Sequence, residues 1–173
     1  DFSTGLPTDW EIVDNAGNGV VWVFDNPGDR TINTATTGNG FAIVDSDDAG
    51  DVDIDTDLIT DVYDFSGNSI VIVEFQHYFK QYSAASEASF DYSVDGGTTW
   101  TPYETYSSST ANAALFSADM SDELAGQAAV KFRWHYEGNY AYYWAVDDIN
   151  IYEPEAYMFA VSAPAGVVVK QGM

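Results

Sequence analysis

Carboxylates are the side chains of this chain best placed to do chemistry. Asp makes up 20 of its 28 acidic residues, a bias toward turns, caps and oxygen sites for hard cations rather than helices. Three groupings carry it: Asp45, Asp47 and Asp48 in VDSDDAG; Asp51, Asp53, Asp55 and Asp57, spaced at two; and the adjacent Asp147 and Asp148 in YAYYWAVDDINIY. Neighbouring aspartates are poor strand material, so their place among Trp144, Val146, Ile149 and Ile151 needs a cause, and a bound cation supplies one. Ca2+ suits such groups because it takes about six to eight oxygens, several of them carboxylate. Neither acidic loop is an EF-hand: counted from Asp45 the twelfth position is Thr56, and counted from Asp14 the third is Ala16.

Nucleophilic and acid–base chemistry finds little support. The chain has no G-x-S-x-G elbow and no Cys, and its two imidazoles, His77 and His135, each sit inside a strand pattern. On a regular strand Asp147 and Asp148 point to opposite faces, so by themselves they cannot flank a scissile glycosidic bond. No enzyme is expected. A different chemistry is offered by Tyr136, Tyr140, Tyr142, Tyr143 and Trp144, clustered near a strand turn. Exposed flat aromatics stack on sugar rings, and buried ones pack a sandwich edge; the cluster suits either use.

A formal charge of -23, from 5 basic against 28 acidic residues, makes phosphate backbones and anionic membranes unfavourable partners. Such self-repulsion is offset either by bound divalent ions or by a salty medium with a short Debye length. Without Cys there are no disulfides and no zinc–thiolate sites. No apolar run approaches the roughly 18 residues of a membrane span, and no basic segment precedes an apolar signal core. Beginning at Asp1 without an initiator Met, the chain reads as an excised or mature piece.

The elements that must position these groups read as strands. Residues 1–9 suggest a short edge strand and a Gly/Pro turn, followed by a strand at 10–13 and the turn cluster DNAGNG. A strand at 41–44 runs into the Asp45 loop. Extended geometry over 51–57 would put its four carboxylates on one face, tolerable only toward solvent or a cation. Residues 69–82 form the longest strand, with Val71, Val73, Phe75 and Phe79 on one side. Phe90, Tyr92 and Val94 alternate with polar residues before Asp95-Gly96-Gly97, a hairpin signal. A strand is expected at 113–116, a helical turn in SDEL with Ser121 as cap, and a clean period of two over 129–137. Turns every 8–15 residues without a sustained 3.6 period predict an all-β antiparallel fold, a β-sandwich or jelly roll.

The order of several motifs adds to this reading. DFSTGLPTDW, GNGFAIVDSDDAG, DFSG, SFDYSVDGGTTW, SDELAGQ, VKFRWHY and YYWAVDDINI together resemble the MAM-like jelly-roll domains, including the choice-of-anchor J and cleaved-adhesin types of secreted bacterial peptidases and surface adhesins. The resemblance implies a galactose-binding-like jelly roll over 1–153, with 154–173 as a linker and first strand of a following module, or a tail. It implies a structural Ca2+ tying the N-terminal strand, the loop after the third strand and the final strand. Here those positions are Asp1 or its neighbours, Asp45 with Asp47 or Asp48, and Asp147 or Asp148. The first motif departs from the family, with Ser3 where many relatives carry an acid. The function implied is a non-catalytic accessory or adhesion module of a larger secreted or cell-surface bacterial protein, a peptidase or adhesin. Its partners would be neighbouring domains and a glycan or protein surface ligand, without nucleic acid or membrane insertion. The alternative is a carbohydrate-binding module using Tyr140, Tyr142, Tyr143 and Trp144.

Overall fold

In a computed structural model that describes residues 2–82 and 86–154, the period-two segments pair into two antiparallel sheets. The strands are β1 (Glu11–Asp14), β2 (Ala42–Asp45), β3 (Asp53–Ile59), β4 (Ile72–Lys80), β5 (Ser86–Ser93), β6 (Thr101–Tyr106), β7 (Ala114–Asp119), β8 (Lys131–Asn139) and β9 (Tyr143–Tyr152). Two four-residue helices, α1 (Ser46–Ala49) and α2 (Ser121–Leu124), join strands. One sheet has the order β1-β3-β8-β5-β6 and the other β2-β9-β4-β7. The chain is an all-β sandwich.

Alternation decides which side chains face inward. Along β8, Phe132, Trp134 and Tyr136 are fully buried, and along β4 so are Val73, Phe75 and Phe79. The two inner faces meet through rings: Phe75 of one sheet lies 5.0 Å from Phe90 and 5.5 Å edge-on to Trp134 of the other. Burying a large apolar side chain contributes about 1.5–3 kcal/mol, so this aromatic layer supplies much of the driving force. The hairpin between β5 and β6 turns at Gly96 and Gly97, both at positive φ, where a Cβ would be strained.

Three local expectations need correction. Residues 2–9 form successive turns instead of an edge strand, because Gly5 takes φ 82° and its N–H closes back on the Phe2 carbonyl. Ser121 is the first residue of α2, not its cap; the N-cap is Met120, and the Ser121 hydroxyl bonds Asp119 while receiving the Val71 N–H. Asp147 and Asp148 do not point to opposite faces, since β9 is irregular against β4 between Glu74 and Gln76 and Asp148 adopts φ 52°. Most of the expected module at 154–173 lies outside the described residues.

Candidate functional site

The acidic residues divide into three places set by strand register. At the first, Asp45 ends β2 and caps α1, accepting the Asp48 N–H at 3.0 Å. Its buried carboxylate receives Arg30 Nε at 2.7 Å and Nη2 at 3.0 Å, and the same Nη2 reaches Asp47 Oδ2 at 2.7 Å. These two carboxylates keep the Arg30 guanidinium firmly protonated despite partial burial. Asp48 is exposed. The charge that this loop needs comes from one of five basic side chains, located in a loop of small polar residues whose sequence carried no sign of pairing.

At the second place, Asp147 is fully buried, and its Oδ2 accepts from the Thr34 hydroxyl at 2.7 Å and from Thr36 at 3.3 Å. Asp148 accepts the Thr36 hydroxyl at 2.6 Å and the Thr36 N–H at 3.2 Å. Asp147 Oδ1 has no hydrogen-bond partner although it is buried. Among the described residues no Lys or Arg pairs with either carboxylate. A buried carboxylate with one unmatched oxygen is costly, and a hard cation is one remedy.

These two places are separate. Asp45 lies opposite Tyr143, while Val146, one residue before Asp147, lies opposite Ala42. Four residues along β9 span about 13 Å, too far for one ion to collect ligands from both groups. The N-terminus comes to the Asp147 end: Phe2 is buried, and a Cβ on Gly40 would stand 3.1 Å from the Phe2 carbonyl oxygen. Asp1 itself lies outside the described residues.

The third place covers the outer face of the five-stranded sheet. Register places Asp55, Glu137 and Glu87 in one row, then Asp57, His135 and Ser89, then Ile59, Arg133 and Asp91. His135 Nδ1 is 2.6 Å from Asp57 Oδ1, and Nε2 is 3.1 Å from Glu137 Oε1. Asn15 donates to Asp55 at 2.9 Å and to Asp57 at 3.0 Å. Burial works to raise the Asp57 carboxyl, but His135, Asn15 and Arg133 outweigh it and hold it below the usual range. Burial likewise works against protonating His135, yet the flanking acids win and its pKa is raised. Arg133 bonds the fully buried Asp91 and lies 4.8 Å over the Trp100 ring. The expected one-sided Asp series is therefore present in β3 at Asp53, Asp55 and Asp57, and cross-strand partners meet its inner end.

The aromatic cluster separates just as sharply. Trp144 is fully buried and donates its indole N–H to His77 Nδ1 at 3.2 Å; Tyr143 is 5% exposed. Only Tyr140, at positive φ and 56% exposed, and the half-buried Tyr142 reach the surface. They meet Tyr82, 66% exposed and 5.5 Å edge-on to Tyr142, with Lys80 Nζ 4.2 Å above the Tyr142 ring. With Asp47 these three tyrosines line a groove of about 180 Å³. In the sequence Tyr82 is the tail of a long strand; an aromatic at a strand end, next to small polar residues, is the signal that marks it.

A family model of Reelin subrepeat B matches residues 55–152. No match was found among curated proteins. Among solved structures, the K1 cleaved adhesin domain of Lys-gingipain from Porphyromonas gingivalis W83 is similar, with a TM-score of 0.67 and 18% identity over 88% of this chain and 95% of that one. TmCBM61 in complex with beta-1,4-galactotriose gives a TM-score of 0.56 at 13% identity, covering 88% and 94%. The CBM22-2 xylan-binding domain of Paenibacillus barcinonensis Xyn10C gives 0.50 at 11% identity, covering 89% and 97%. At such identities the likeness establishes the jelly-roll fold expected from the sequence.

Proposed function

The chain belongs to the Reelin subrepeat B family, and on that premise we propose that it is a non-catalytic binding module of a larger secreted or surface protein, with a glycan as its ligand. The observation that carries this is the groove of Tyr82, Tyr140 and Tyr142 beside Asp47. Rings exposed just beyond the end of β4 and just before β9 supply stacking area, and a carboxylate beside them accepts hydrogen bonds from sugar hydroxyls. One module of the same fold is seen in complex with beta-1,4-galactotriose and another is a xylan-binding domain, which agrees with this use. The parent protein is proposed to be a peptidase or an adhesin.

Calcium belongs to the same proposal, and the residues present fit it at one place. Asp147, with an unmatched buried oxygen, and Asp148 would hold the ion, with the Thr34 and Thr36 oxygens beside them. Bound there, Ca2+ would neutralise two adjacent carboxylates and couple β9 to the Thr34–Thr36 segment. The Asp45, Asp47 and Asp48 group fits poorly, because Arg30 already supplies its positive charge.

An affinity gel or glycan array with the intact chain and with Tyr140→Ala and Tyr82→Ala tests the ligand. Binding that is weakened about tenfold or more in either variant, with unchanged melting, is the expected result. Retention of full binding by both variants, or no binding to any glycan, defeats the reading.

A further inference from the structure

We infer that Asp55, His135 and Glu137 form a site for a first-row transition-metal cation of the zinc class on the outer face of the five-stranded sheet. One ligand atom from each of the three lies within 4.8 Å of the other two. His135 and Glu137 are two apart on β8 and so share a face, and Asp55 stands directly opposite Glu137 on β3. His135 Nε2 and Glu137 Oε1 are already 3.1 Å apart. Ligands about 2.0–2.2 Å from a tetrahedral metal are roughly 3.4 Å from one another; Asp55 Oδ1 now lies 3.8 Å from His135 Nδ1, so its side chain must turn toward Nε2 to complete the set.

The surroundings favour a metal over a plain acidic surface. Asp57, 4% exposed, holds the other imidazole nitrogen at 2.6 Å, and a carboxylate there orients a metal-binding histidine and makes it a better donor. Asn15 steadies both Asp55 and Asp57 from β1's end. Like charges directly across a sheet destabilise it, yet Asp55 and Glu137 face each other with Glu87 next in the row. Among the described residues no Lys or Arg pairs with these three, since Arg133 is committed to Asp91 and Asp57 and Lys131 to Glu11; His135 is the basic group that meets Glu137 and Asp55, at 3.1 and 3.8 Å, and a metal would take the place of its ring proton. Imidazole selects zinc-class ions over Ca2+, which separates this site from the oxygen-only group at Asp147. Three protein ligands leave a fourth position open, beside a groove lined by Asp53, Asp55, Glu137 and Asn139.

The test is titration of the intact chain with Co2+ and then Zn2+, in buffer holding excess Ca2+ to occupy oxygen-only sites. The expected result is one saturable Co2+ with intense tetrahedral visible absorption, displaced by Zn2+, and an NMR shift of the His135 ring while His77 stays unmoved. Glu137→Gln, at an exposed side chain, should weaken binding tenfold or more without altering the metal-free melt, and His135→Gln should abolish the absorption. A site insensitive to Glu137→Gln overturns the proposal even if His135→Gln fails to fold. Absorption without nitrogen ligation, or weak unsaturable uptake by the acidic surface only, overturns it too.

Discussion

Asp147 and Asp148, consecutive in β9, turn their carboxylates to the same Thr36 hydroxyl, at 3.3 and 2.6 Å. A regular strand would send them to opposite faces; the irregular pairing with β4 and the left-handed backbone at Asp148 bring them together. Two charges thus share one pocket whose deepest oxygen has no donor.

If calcium completes that pocket, melting depends on it. At a hundredfold excess over its dissociation constant a ligand stabilises by about 2.7 kcal/mol. EGTA at low salt should lower the melting temperature by roughly 5–10 °C. Asp147→Asn should melt alike with and without EGTA. An EGTA-insensitive melt of the unaltered chain would exclude the ion.

The buried pair of Asp45 with Arg30 should be worth more when broken than when intact. Asp45 has only 1% of its side chain exposed, so Arg30→Met strands a charge there. The expected loss is about 3 kcal/mol, read by denaturant titration. A loss below about 1 kcal/mol would mean that another cation compensates.

Acid should weaken the fold through His77. Burial pushes this imidazole down to about 4, against an ordinary value of 6.5, and its Nδ1 accepts the Trp144 N–H. A base with a depressed folded pKa binds protons in the unfolded chain first, so stability is complete above pH 6.5 and is lost as pH falls toward 4. The loss over that window is on the order of 3 kcal/mol. His77→Gln should flatten the profile between pH 6.5 and 4. An unchanged slope would assign the acid sensitivity to other groups.

Trp144 and Tyr140, four residues apart, should behave oppositely. Trp144→Ala opens a cavity between the sheets and should cost about 3–5 kcal/mol. Tyr140→Ala should leave stability within about 0.5 kcal/mol while diminishing glycan binding. Differential melting and affinity electrophoresis of both variants separate core from surface.

Much of the fold was legible because strand patterning is local. The alternation of Val130, Phe132, Trp134 and Tyr136 with Lys131, Arg133, His135 and Glu137 announces both a strand and its buried face. The DGG turn likewise announces its hairpin. The aromatic cluster was legible only as a cluster: exposure differs between Tyr140 and Trp144 because one precedes β9 and the other lies inside the sandwich.

The amino-acid order by itself determined the all-β class, the strand faces and a surplus of carboxylates requiring positive charge, since each follows from residue type at short spacing. Which acids share a partner was decided only in three dimensions. Antiparallel register sets Asp57 beside His135 and holds Asp45 far from Asp147, while a loop carries Arg30 to Asp45 across 15 positions of chain. Charge interactions act through space over a few ångströms, and no local pattern encodes the pairings that folding brings within that reach.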